Sequence, residues 1–310
     1  MKFILGFTTG HSGSTTIDAA LRRAECGWNV VGKFEQMSAS ERRKVEEDTI
    51  SRGWRHDTPR ALDCSLTDEE ILPFLLQKVD AEESKQMQSK NDTTYTYIDM
   101  GHFHNRFRTL ECLADRLGQD VAFVRIRRNR YSIAISFAHE FTTPCLYSKD
   151  MRDKSPDLTV CPRSGEGNGE VNLPVTDDVW DSMTPFQKFL WYADEMEHRW
   201  HTLASHTSAQ MYEITWSDPY QLQGGVYTVL TQLGCSDFKP LPHRKKHKKH
   251  IESGTNCSTL IRQDMSYRRM MNYDAATLNV LVSPNLRHHV DMKDCVETKL
   301  ELERVVREEE

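Results

Sequence analysis

Hydrophobic positions along this chain fall into two alternating rhythms. Short apolar runs rich in β-branched and aromatic residues recur near 2–8, 28–34, 94–99, 121–126 and 209–215, which predicts buried strands. Between them lie stretches with helical spacing. Segment 67–88 opens on Thr67-Asp68-Glu69-Glu70, acidic residues that suit a helix's first turn. Segments 104–117 and 130–141 follow strands closely. Over 179–205, Met183, Phe186, Leu190, Ala193, Met196, Trp200 and Leu203 recur at three-to-four spacing, which predicts one amphipathic helix. Strands alternating with helices predict an α/β fold: a mostly parallel sheet flanked by helices, as a single domain over 1–296. Residues 143–178 break the rhythm with four prolines and the run Ser164-Gly165-Glu166-Gly167-Asn168-Gly169, so they read as a lid, a binding loop or disorder. The charged stretch 297–310 reads as a solvated terminal helix or tail.

Composition narrows the classes. A length of 310 residues suffices for a large core, and a net charge of −6 argues against general nucleic-acid binding. No run approaches the roughly 18–20 apolar residues of a membrane span, and the opening run is too short for a signal peptide's core. Eight cysteines lie scattered with no C-x-x-C pair. That pattern favours free thiols in a reducing compartment, with Cys145 and Cys161 the one candidate bridge. A cytoplasmic location follows as the expectation, or the Golgi lumen if an N-terminal anchor has been removed. The sequons at Asn91 and Asn256 matter only for a secreted chain.

Chemistry concentrates at two strand ends. The run Lys2–Phe7 breaks into Thr8-Thr9-Gly10-His11-Ser12-Gly13-Ser14-Thr15-Thr16, and helix-compatible residues 17–23 follow. Strand, small-residue turn and helix start form the layout in which backbone N–H groups and a helix dipole cradle an anion. The nucleoside-triphosphatase loop needs G-x-x-x-x-G-K-[ST]. Here Ser14 stands at the lysine position and Thr8 at the first glycine, so the loop is poorly equipped for Mg-dependent phosphoryl transfer. The second strand end is Val121–Val124 running into Arg125-Ile126-Arg127-Arg128-Asn129-Arg130, with helix-like residues from Tyr131. Arginines where a helix dipole already favours anions point to phosphate, against the plainer reading of a solvated basic edge.

Two anion sites at the carboxyl edge of one sheet suggest a nucleotide with two separated phosphates. On these residues the chain resembles the sulfotransferases that use 3′-phosphoadenosine 5′-phosphosulfate. Residues Thr9, Gly10, His11, Ser12, Gly13, Ser14 and Thr15 look like that family's 5′-phosphosulfate loop. Arg128-Asn129 with Ser136-Phe137 resembles its 3′-phosphate motif, and this is the more diagnostic half. A weaker likeness follows through Leu190-Trp191-Tyr192, Trp200 and Met211-Tyr212-Glu213-Ile214. The layout is similar over roughly residues 1–235.

The resemblance implies a P-loop-like nucleotide-binding core. Thr9, Gly10, Ser12, Gly13, Ser14 and Thr15 would bind the 5′-phosphosulfate, and Arg128 and Ser136 the 3′-phosphate. His11 stands where the family usually has Lys or Arg, so it would stabilise the bridging oxygen as a cation or as a weaker neutral donor; otherwise it is a solvated loop histidine. The catalytic base would follow the strand Thr94–Ile98, with His102 first and His104 and Asp99 as alternatives. No metal is expected, for no cysteine or carboxylate ligand set accompanies the two histidines. Trp54 is a candidate to stack on adenine. The basic run His243–His250 reads as a solvated face, a landing patch for an anionic acceptor or a localisation signal. The expected activity is sulfuryl transfer to a hydroxyl or amine of a small-molecule or carbohydrate acceptor. A P-loop small-molecule kinase and a non-catalytic nucleotide-binding protein of the same fold are the alternatives.

Overall fold

Burial is continuous along the two central strands: Phe3–Phe7 apart from Gly6 and the run Val121–Ile126 are each at most 5 % exposed, as expected for parallel strands covered on both faces. The computed structural model describes residues 2–9, 14–23, 26, 29–31, 95–100, 121–128, 130–138, 171–216, 219–235 and 257–272. Five strands, β1 (Lys2–Phe7), β2 (Asn29–Val31), β3 (Tyr95–Asp99), β4 (Val121–Arg128) and β5 (Gln210–Trp216), stand in the order β2-β3-β1-β4-β5. Every neighbouring pair is parallel. The predicted α/β class with a parallel sheet is therefore present, and each of the five apolar runs supplies one strand. The predicted helices over 67–88 and 104–117, residues 143–170 and the terminal stretch lie outside the described residues.

Six helices complete the described structure: α1 (Ser14–Arg23), α2 (Arg130–Ala138), α3 (Asp177–Ser182), α4 (Pro185–His206), α5 (Pro219–Gln232) and α6 (Cys257–Met271). The single helix predicted over 179–205 is in fact two. Met183 and Thr184 adopt extended backbone between α3 and α4. Thr184 then caps α4 in a reciprocal box with Gln187, and Pro185 occupies the first turn, where its missing N–H is harmless. Met183 stays buried at 4 % exposure, so the apolar pattern survives the break.

The helices divide between the two faces. Ile17, Ala20 and Leu21 of α1 and Leu222, Val226, Val229 and Leu230 of α5 share a cluster with Ile4, Ile98, Val124 and Ile214. On the opposite face, α2 and α4 pack on Phe3, Leu5, Tyr97 and Phe123, together with Tyr267 of α6. Arg22 fixes α1 by donating to the Ile98 carbonyl at 2.6 Å while paired with Asp18.

The expectation of free thiols does not hold. Cys26, just beyond α1, is disulfide-bonded to Cys235, just beyond α5, across 209 residues of sequence. Spacing gave no hint of it, because packing of α1 beside α5 brings the two together. Gly234 takes a left-handed φ of 87°, and the Cys235 N–H reaches back to the Leu230 carbonyl at 2.9 Å. That turn delivers the Cys235 side chain to the core. Such a bond persists in oxidising surroundings, so the cysteine argument for a cytoplasmic location falls. Among the described residues no helix is long and apolar enough to cross a membrane.

Candidate functional site

Strand register sets where the chemistry collects. Leu5 lies level with Asp99 of β3, and Phe7 level with Arg125 of β4. The carboxyl ends of β1, β3 and β4 therefore meet at one edge, with Arg128 three positions beyond the level of Phe7. From β1 the chain passes to α1 on one face; from β4 it passes to α2 on the other. Neighbouring strands whose successors leave to opposite faces form a topological switch point, the crevice where open α/β sheets bind ligands. Gly6 keeps this edge tight. A Cβ there would stand 2.6 Å from the Met100 Cα at the end of β3, so only glycine lets the two backbones approach.

A cavity of about 30 Å³ opens at this edge, lined by Phe7 of β1 and Thr9 just after it, Arg127 and Arg128 of β4, Arg130 of α2 and Asp194 of α4. It holds about two water molecules, so a nucleotide would extend past these walls.

The arginines are not the loose basic cluster that the sequence suggests. β4 runs through Arg128, so Arg125 and Arg127 sit within the strand and point toward the same neighbours. Arg125 pairs with Glu197 of α4 and with Glu213 of β5. Arg127 bonds Glu213 at 3.0 Å and approaches Glu197 at 3.5 Å. Trp200 lies 5.5 Å from the Arg125 guanidinium. Arg130, the first residue of α2, is held by Asp194 of α4 and Asp264 of α6. Buried charge must be paired to persist, and these carboxylates supply the pairing. Burial draws Arg125 and Arg128 below the ordinary arginine value. Burial would lower Arg130 too, but its two carboxylates outweigh it and hold the group firmly protonated.

Thr9 is the described end of the first loop, and its carbonyl accepts the Tyr192 hydroxyl of α4 at 3.0 Å. Tyr192 in turn packs edge-on against Phe137 of α2, with ring centroids 5.7 Å apart. One side chain thus links the residue after β1 to the helix that follows β4. Ser14 and Thr15 form the start of α1. Arg128 closes β4, and Ser136 lies in the second turn of α2; both are half-buried. Asp99 is the last residue of β3. Gly10, His11, Ser12, Gly13, Trp54, His102, His104 and the run 243–250 lie outside the described residues.

Sequence reading missed the carboxylates of α4 altogether. Besides Asp194 and Glu197, Glu195 accepts the backbone N–H groups of Asn172 and Leu173 while paired with Arg199 at 2.7 Å. Trp191 Nε1 donates to the Leu173 carbonyl at 2.8 Å. Residues 172 and 173 are therefore fixed to α4. The signal was present as an acidic cluster on an otherwise apolar helix, since charge buried in such a place implies a partner.

Fold and site together define an α/β protein whose described residues form a five-stranded parallel sheet with an arginine-lined crevice at its switch point. No family model, curated protein or solved structure matches the chain.

Proposed function

We propose that the chain is a sulfotransferase that moves a sulfuryl group from 3′-phosphoadenosine 5′-phosphosulfate to a hydroxyl or amine of a small-molecule or carbohydrate acceptor. One observation carries the reading: Thr9 and Arg128, the described ends of the two motifs, line one cavity at the switch point. Two phosphate groups bound to two neighbouring strands suit that geometry, and α1 begins where a 5′-phosphosulfate would take a helix N-terminus. On this reading the core is P-loop-like and lies in a single domain.

In the reaction, the acceptor oxygen or nitrogen attacks sulfur as the bond from sulfur to the bridging oxygen breaks. The products are the sulfated acceptor and adenosine 3′,5′-bisphosphate, and the acceptor's proton goes to the base. His102, His104 or Asp99 would be that base, and His11 would stabilise the leaving oxygen. Arg128 and Ser136 would hold the 3′-phosphate. No metal takes part.

The pairing of Arg125, Arg127 and Arg130 favours a second reading, a nucleotide-binding protein of the same fold without turnover. The two separate when labelled 3′-phosphoadenosine 5′-phosphosulfate is offered with a panel of hydroxyl and amine acceptors. Transfer of label supports the enzyme. Bisphosphate binding without transfer to any acceptor supports the second reading, and preference for ATP–Mg supports a kinase instead.

A further inference from the structure

The first turn of α2 rests on a buried knot of side chains that the proposed chemistry does not use. Arg130 donates Nε and Nη2 to the two oxygens of Asp194 at 2.9 and 2.7 Å, and Nη1 to Asp264 Oδ1 at 2.9 Å. The other Asp264 oxygen accepts the Tyr131 hydroxyl and Arg268 Nη2, each at 2.6 Å. The Tyr267 hydroxyl completes the knot on Asp194 at 3.0 Å. Three helices meet here, and α6 arrives from 134 residues further along the chain.

Each member has a distinct mechanical consequence. Asp194 alone gives Arg130 a two-pronged partner, so the charge of Arg130 would stay satisfied without α6. Asp264 adds something else. It grips two successive residues of α2, Arg130 and Tyr131, and anchors both to a helix that no other ion pair described above joins to α2. Arg130 is spent on these carboxylates, which makes it a fixed post rather than a donor to a ligand. Arg128 stands only two residues before that post, a span of about 7 Å at most. The backbone that carries Arg128 into the cavity wall is therefore tied to where Arg130 is held.

We propose that Asp264 is a positioning residue: by fixing Arg130 and Tyr131 it aims Arg128 at the 3′-phosphate of the bound nucleotide. The inference rests on the reading of this crevice as a bisphosphate site. Its test compares the full-length chain with Asp264→Asn, which keeps the side chain's size, and with Tyr131→Phe. Affinities for adenosine 3′,5′-bisphosphate and for adenosine 5′-monophosphate are measured by calorimetry, directly or by competition. Asp264→Asn is expected to weaken the bisphosphate about tenfold, the size of one charge-assisted hydrogen bond lost, while leaving the monophosphate unchanged. Tyr131→Phe should shift the ratio the same way by a smaller factor.

Equal weakening of both nucleotides would mean that Asp264 merely supports the fold, and it overturns the proposal; so does an unchanged ratio. If Asp264→Asn does not fold, Tyr131→Phe carries the test, and an unchanged ratio there is decisive against it. Absence of bisphosphate binding in the unaltered chain overturns the functional reading and this inference together. Binding that the substitutions leave intact overturns this inference alone.

Discussion

Glu197 shows how a single side chain can decide the character of a sheet edge. It is shared by Arg125 and Arg127, and it bonds His201 at 3.1 Å. Burial alone would raise its carboxyl, but the His201 hydrogen bond and the two guanidinium charges bring it below the ordinary value of 4.5. Glu197→Gln keeps the shape and removes the charge, leaving the buried Arg125 with Glu213 as its carboxylate. A buried charge left wholly uncompensated costs about 3–5 kcal/mol, so with Glu213 retained the loss should be smaller, read as a lower urea midpoint at pH 7. The sign with pH follows from the depressed value. The glutamate's contribution is complete above about 4.5 and is lost as pH falls through its folded-state value. Stability of the unaltered chain should therefore drop on acidification below that point, and Glu197→Gln should drop less. Equal acid slopes would show that the carboxylate is not held as described.

At the scale of elements, α5 offers a paired comparison. A Cβ on Gly224 meets nothing within 4 Å, whereas one on Gly225 would stand 2.9 Å from Ile214 Cγ2 of β5. Gly224→Ala should stabilise by about 1 kcal/mol through helix propensity. Gly225→Ala should lower the thermal midpoint, since overpacking typically costs about 1–3 kcal/mol and outweighs the same gain. The disulfide between Cys26 and Cys235 makes a second prediction. Paired Cys→Ser substitution should cost about 2–5 kcal/mol, and peptide mapping after alkylation without reductant should find neither Cys26 nor Cys235 labelled. Alkylation of Cys26 without a reductant would contradict the bond.

These elements also mark where sequence reading stops. The strands were legible because parallel strands buried on both faces carry unbroken apolar runs, as Phe3–Phe7 of β1 and Val121–Val124 of β4 do. The break between α3 and α4 was legible in principle, because Thr184-Pro185-Phe186-Gln187 spells a capping box; the unbroken apolar spacing through Met183 concealed it. The disulfide and the ion pairs of Arg130 had no local signature, as the partners stand 64, 134 and 209 residues apart. Arginines at a strand end look the same in sequence whether they await an anion or already hold a carboxylate from another helix.

For the molecule as a whole, the sheet order and the split of helices between its faces create one crevice, and two sequence motifs end on it. The central claim is that this crevice is a bisphosphate site anchored by Arg128. Calorimetric titration of the full-length chain and of Arg128→Ala with adenosine 3′,5′-bisphosphate tests that claim most directly. The account predicts saturable one-to-one binding to the unaltered chain, weakened at least about tenfold in Arg128→Ala, as for loss of a charged hydrogen-bond donor. Equal affinity in the two proteins, or no binding to either, would contradict it.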